Sequence, residues 1–406
     1  MINRMKPFSI IFLILVFMTL KMSAELSHTQ IEKLDSTLQT WVDDQKYAGI
    51  VNLTYSNGEI VHFKAYGYKD LATQAPMKKD TIFRIYSMTK PIVSVAIMQL
   101  VEQGEIQLET PITEFIPEFK KLKVYLDGNM VEPREPITLK HLLTHTAGFS
   151  YGWTDHPVDL AYKEIDLLRN NVKGSYDFIE KVSNAPLIYH PGEKWHYSIA
   201  TDLVGILVER ISGMSLEEYL KQNLFDPLGM NDTGFSLPTS KKSRFSTNYR
   251  NVDDQLEVED NFKDSHYYIE KHYQSGGGGL VSTASDYLKF AQMLLNEGLY
   301  KGKRYLEKET IALMTRDHLL DTLDDINNPW SEHSFELDNP HFGLGFKLTL
   351  VLNPNEGKYD TKQYSWNGAA GTEFWIDPVK SLINITLIQK MDSDWMLREN
   401  MEKLIY

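Results

Sequence analysis

The spacing of apolar positions changes along the chain, and the changes mark its elements. Between residues 28 and 45 the apolar residues are Ile31, Leu34, Leu38, Trp41 and Val42. That is the three-and-four spacing of an amphipathic helix. Residues 49–55 and 60–68 are strand-like runs separated by Ser56-Asn57-Gly58-Glu59. Asn-Gly tolerates positive φ at both positions, so a two-residue hairpin is predicted. Residues 87–103 read as a helix that stops at Gly104. From about residue 111 to residue 272 the pattern predicts helical patches joined by loops, at 137–145, 175–182, 200–211 and 216–224. Gly276-Gly277-Gly278-Gly279 is followed by Thr283-Ala284-Ser285-Asp286, a capping-box pattern that opens a helix reaching Asn296. The chain then returns to strands, at 345–352, 362–366, 372–376 and 382–388, and closes with a helix over 395–405.

This order predicts an α+β fold. Strands from the two chain ends share one antiparallel sheet flanked by helices, and the middle forms an all-helical lobe beside it. The expected division is a sheet lobe from 25–105 and 276–406 and a mostly helical lobe from 106–275, in one bilobal domain. A cleft between the lobes is the natural place for a site.

The first 24 residues follow a different logic. Arg4 and Lys6 precede an apolar run over 8–20, and Met22-Ser23-Ala24 puts a small residue where a leader is cut. The run is 13 residues long, short of the ~20 needed to cross a bilayer. The pattern predicts a secretory signal peptide cleaved after Ala24. The mature chain is expected to be periplasmic or secreted, with no stable membrane span. With no cysteine in the chain, disulfides and cysteine lipidation are both excluded. The net charge of -13 argues against nucleic acid or an anionic membrane as partner. Removing Arg4, Lys6 and Lys21 with the leader makes the remainder more negative still.

Three segments could carry chemistry. Ser87-Met88-Thr89-Lys90 places a lysine three residues after a serine, close enough on a helix for the amine to reach the hydroxyl. A hydroxyl needs a base to become a nucleophile, and lysine serves only if burial or nearby positive charge lowers its pKa. A helix start also offers free N–H groups to a developing oxyanion. Pro91 is tolerated near a first turn and keeps Ser87 close to that start. Tyr197-Ser198 follows a Pro191-Gly192 turn, and a tyrosine beside a cationic lysine can relay a proton. Trp366-Asn367-Gly368-Ala369 lies between two strands, where small residues allow substrate to approach the backbone.

Ser-x-x-Lys, then Tyr-Ser, then a glycine-containing strand, in that order, resembles the three-part active site of the serine β-lactamases and penicillin-binding proteins. Longer blocks sharpen the resemblance. Residues 137–148, with Leu142-Leu143-Thr144-His145-Thr146-Ala147-Gly148, are similar to the "LLTHTSG" block of the class C-like β-lactamase-related family. Asp226-Pro227-Leu228-Gly229-Met230, residues 276–283 and residues 368–377 are similar to further blocks of it. The resemblance runs from about Leu34 to the C-terminus. It implies that Ser87 is the acylated nucleophile, Lys90 its activating partner and Tyr197 a general base or proton relay. It also implies an oxyanion hole from the backbone N–H groups of Ser87 and Ala369, with Gly368 and Trp366 beside the substrate. It leaves open which of Lys90 and Tyr197 is the base, and it implies no cofactor or metal.

Two departures bear on substrate. The β-lactamase second motif is Tyr-x-Asn, and here its third position is Ile199. The third motif is Lys-Thr-Gly or a close variant, and here it is Trp366-Asn367-Gly368. Without those polar handles the chain resembles the esterase branch of the family. The expected function is an exported serine hydrolase, a carboxylesterase working through an acyl-enzyme. The alternatives are a β-lactamase or D-amino-acid peptidase with the same mechanism, and a penicillin-binding or sensor protein that acylates without turnover. The substrate is accordingly a small-molecule ester, amide or β-lactam.

Competing residues fit less well. Gly148-Phe149-Ser150-Tyr151-Gly152 matches G-x-S-x-G, but that motif needs a strand before it, and a helical pattern precedes it here. His145 belongs to a block that is structural in the family. His266 and His272 lack metal-ligand spacing.

Overall fold

The computed structural model describes residues 26–167, 171–268, 273–319, 341–353, 358–391 and 397–406. The expected signal peptide, His272 and the first residues of the expected last helix lie outside the described residues. No helix among the described residues is long and apolar enough to cross a membrane.

Helix α1 (His28–Asp43) starts at a capping box in which Ser27 and Gln30 satisfy each other's backbone donors, and it buries Leu34 and Leu38. Strands β1 (Gly49–Ser56) and β2 (Glu59–Asp70) form the predicted hairpin. Asn57 (φ 52°) and Gly58 (φ 96°) take the left-handed conformations that a two-residue turn requires. β2 buries only every fourth residue, His62, Tyr66 and Asp70, whereas β1 is buried on both faces. A hairpin alone is marginal in water, and further strands complete the sheet. After β3 (Ala75–Pro76) these are β4 (Lys347–Asn353), β5 (Lys358–Asn367), β6 (Glu373–Asp377) and β7 (Leu382–Leu387).

The seven strands run in the order β4-β5-β6-β7-β1-β2-β3, each pair antiparallel. β7 joins the two ends of the chain, pairing Val51 with Leu387 and Leu53 with Ile385. Helices α1 and α5 (Leu397–Ile405) cover one face: Leu34, Leu38, Met401 and Leu404 pack with Ile50 and Trp375. On the other face lie α2 (Thr89–Glu102), α3 (Ala200–Ser212) and α4 (Ala284–Leu295), within the main core. α2 is buried from Thr89 through Leu100, as a central helix must be if it is apolar all round.

The middle of the chain differs from the expectation in two ways. Residues 137–145 yield only a short helix, Leu139–Leu143. Two hairpins also appear among the helices, Val124–Leu126 with Asn129–Val131 and Asn248–Val252 with Gln255–Asp260. The first turns at Asp127-Gly128, both at positive φ. Asp-Gly is a hairpin signal of the same kind as Asn57-Gly58, but its three-residue strands are too short to show alternation.

Candidate active site

The site begins at the turn before α2. Tyr86–Met88 is a single 3-10 turn that continues into α2, so Ser87 stands just outside the α-helix that the sequence predicts to include it. The spacing still works, because residues three apart eclipse in a 3-10 turn. Tyr86 adopts φ 42°, an unusual left-handed conformation for a bulky residue. The turn is pinned from several sides. The Ile85 N–H donates to Leu280 O at 3.1 Å. Fully buried Arg84 donates to Asp260 (2.7 Å), to Ser246 O (2.7 Å) and to Gln389. Asn248 Nδ2 donates to Tyr86 Oη at 3.0 Å.

Lys90 sits one turn further on and is only 1% exposed. Its Nζ lies 3.2 Å from Ser87 Oγ, 2.9 Å from Tyr151 Oη and 2.7 Å from the Gly277 carbonyl. Burial lowers its pKa to about 7, against the opposing pull of Asp202. Tyr197 stands beside the pair, with Nζ 4.5 Å from its ring centroid. Its ring lies 5.4 Å from that of Trp366, which projects from β5.

The turn between β5 and β6 closes the site from the sheet side. A Cβ on Gly368 would stand 2.4 Å from Ile85 O, so the absence of a side chain lets this turn press against the nucleophile turn. The Gly368 N–H donates to Thr372 O at 2.7 Å. Among the described residues, no backbone hydrogen bond uses the N–H of Ser87 or of Ala369, the two donors expected to form the oxyanion hole. Ser87, Tyr197, Trp366, Gly368 and Ala369 all line one cleft of about 1170 Å³.

The structure thus brings the expected site residues together and adds Tyr151 and Asp202, which sequence reasoning missed, and Gly277 from the glycine run it had noted. Tyr151 holds Lys90, and its hydroxyl is kept neutral by burial. It lies inside the Gly148–Gly152 stretch that sequence reading examined for Ser150 alone. Ser150 is buried and donates to Asp159, so it belongs to the loop and not to the cleft. Asp202, in the first turn of α3, accepts from Ser275 Oγ (2.6 Å), Tyr273 Oη (3.3 Å) and the Gly277 N–H. Its burial raises its pKa. An acid in a first helical turn is ordinary on dipole grounds, so nothing in the sequence singled it out. Gly277, the third, links Asp202 to Lys90 by donating its N–H to the carboxylate and accepting from the amine at its carbonyl. His145 packs 4.9 Å from the Tyr197 ring, and burial with the nearby Lys90 keeps it neutral.

A model of the Beta-lactamase family matches residues 34–402. The chain belongs to the beta-lactamase family. Within that family, an uncharacterized protein of Mycobacterium tuberculosis is 34% identical over 84% of this chain and 86% of its own length. Esterase EstB of Burkholderia gladioli is 28% identical, covering 85% and 86%. Lovastatin esterase of Penicillium rubens is 28% identical, covering 89% and 94%. Two solved structures share the fold. EstCE1, a hydrolase with promiscuous acyltransferase activity, superposes with a TM-score of 0.76 at 22% identity, over 93% of this chain and 99% of its own. Simvastatin synthase LovD from Aspergillus terreus also gives 0.76, at 24% identity, over 93% and 97%.

Proposed function

We propose that this beta-lactamase family member is an exported serine hydrolase that cleaves carboxylic esters through an acyl-enzyme on Ser87. The observation that carries the reading is the contact of Lys90 Nζ with Ser87 Oγ at 3.2 Å, made by a lysine that burial holds at about 7. Neutral Lys90 takes the Ser87 proton as Oγ attacks the ester carbonyl. The N–H groups of Ser87 and Ala369 receive the oxyanion. Collapse breaks the ester C–O bond, and the leaving alkoxide takes the proton back from Lys90, directly or through Tyr197. Water then repeats the sequence on the acyl group, releasing the acid and restoring Ser87.

An ester fits the cleft better than an anionic β-lactam or a peptide carboxylate. Asp166, Asp202, Glu259 and Asp260 line it, against Lys163. Arg250 and Arg84 pair with Glu259 and Asp260, and Lys163 pairs with Asp155. Trp366 and Asn367 bring no cation to the position where a carboxylate would be held. Relatives named as esterases support the same choice.

The test is intact-mass spectrometry after a fluorophosphonate probe, with p-nitrophenyl acetate and nitrocefin turnover measured in parallel. One adduct on wild type, none on a folded Ser87→Ala variant, and faster ester than nitrocefin turnover are expected. Equal labelling of both proteins would end this reading. A burst without turnover would identify a sensor. The same spectrum, on protein recovered from its producing cells, reads the export proposal: the mass should lack residues 1–24.

A further inference from the structure

Residues 276–279 are four consecutive glycines along the cleft wall, and three of them have a steric reason to be glycine. A Cβ on Gly276 would stand 2.6 Å from Thr201 O, one on Gly277 2.3 Å from Asp202 Oδ2, and one on Gly279 2.7 Å from the Phe235 ring. Each of these is an overlap that something must move to relieve. Gly278 is different. The nearest atoms to its Cβ would be those of the Tyr86 backbone, at 3.7 to 3.9 Å, which is ordinary contact. Its φ is not in the left-handed region, so conformation does not demand glycine either. Glycine carries an entropic cost relative to alanine, and neither the packing nor the conformation at 278 requires that cost. Gly278 lines the cleft alongside Tyr86 and Ser87.

We infer that Gly278 is a specificity-determining residue: its missing side chain keeps open the space beside the nucleophile turn for the bulky apolar substituent of an ester. The inference rests on the esterase reading above. The cleft, about 1170 Å³, is larger than the ~300–1,000 Å³ of most small-molecule sites, and aromatic side chains (Tyr86, Tyr151, Trp153, Tyr197, Trp366) face it. A large apolar group therefore has a surface to bury against, and 278 is the wall position where a side chain would take up that room. Both the acyl and the alcohol halves of an ester can supply such a group, and separate substrate series distinguish them.

The experiment uses the full-length protein with Gly278→Ala, Gly278→Val and, as a packing control, Gly277→Ala. Two p-nitrophenyl series are run: acyl length from acetate to octanoate, and alcohol size at constant acetate. Labelling rates by a short and a long alkyl fluorophosphonate are measured alongside. Gly278→Ala should melt no lower than wild type, because alanine at a compatible φ restricts the unfolded chain, whereas Gly277→Ala should melt lower. Gly278→Val should reduce the large-to-small kcat/KM ratio by at least roughly 10- to 200-fold in one series, the range for a single methylene in a hydrophobic pocket. The long-to-short labelling ratio should fall with it. Wild-type labelling at Ser87 with both ratios unchanged in Gly278→Val would overturn the inference alone. A wild type that neither labels nor turns over any ester would overturn the functional reading and this inference with it.

Discussion

A neutral lysine has two hydrogens to donate and one lone pair. At Lys90 the Gly277 carbonyl can only accept and Tyr151 Oη can take the second hydrogen, which leaves the lone pair for the Ser87 hydroxyl. The base form grows as pH rises through about 7, so kcat/KM for an ester should climb with pH and level off above that value. Asp202 is the charge that opposes this descent; of the other groups facing Lys90, burial keeps Tyr151 and His145 neutral. Asp202→Asn should therefore let the Lys90 pKa fall further and move the acid limb of the profile to lower pH. A limb that stays in place, in a variant that still folds, would deny Asp202 that role. Ser150 gives a contrasting expectation. Ser150→Ala should keep near-wild-type ester turnover while losing about 1–3 kcal/mol of stability, since the buried Asp159 carboxylate loses a donor. Thermal melts and turnover on the same preparation check both parts.

At the scale of elements, two close approaches assemble the site. The 3-10 turn of Tyr86–Met88 meets the β5–β6 turn because Gly368 lacks a side chain. The glycines at 276 and 277 let the cleft wall lie against α3, over Thr201 and Asp202. The opposite face of the sheet is unusually polar. Asn52 Nδ2 donates to Asn384 Oδ1 (3.0 Å) and Thr386 Oγ1 (3.1 Å) inside the core, and Glu373 on β6 is buried near Arg398 and Glu402 of α5. Burial raises the Glu373 pKa from 4.5 to about 8. Between those values the folded chain holds a proton that the unfolded chain has released, so stability falls as pH rises through that window. Glu373→Gln keeps the shape and removes the titration. The wild-type Tm should drop relative to the variant between pH 5 and pH 8, and parallel Tm curves across that range would refute the assignment.

At the scale of the whole molecule, the chain closes on itself. β7 pairs with β1 across more than 300 residues of sequence, for instance Val51 with Leu387, and the segment between them carries Ser87, Tyr151, Tyr197 and the glycine wall. Much of this was legible. The hairpin at Asn57-Gly58, the strands at both ends and the Ser87–Lys90 spacing are local signals, carried by neighbouring residues whose conformations depend on one another. The short hairpin at Asp127-Gly128 was equally local and went unread, because three residues cannot show a period of two. Lys90 meets Tyr151 across 61 residues and Gly277 across 187, and no local pattern encodes such a meeting. Most of the elements, the order of the motifs and the residue types that could do the chemistry follow from backbone preference and hydrophobic period, which neighbouring residues carry. How deeply Lys90 is buried, which puts it at about 7, which charge faces it, and that a Cβ at Gly278 would only touch the Tyr86 backbone where one at Gly277 or Gly279 would overlap its neighbours, are decided by tertiary packing. Burial, field and free volume are properties of what surrounds a residue, and the surroundings are set only when distant segments pack.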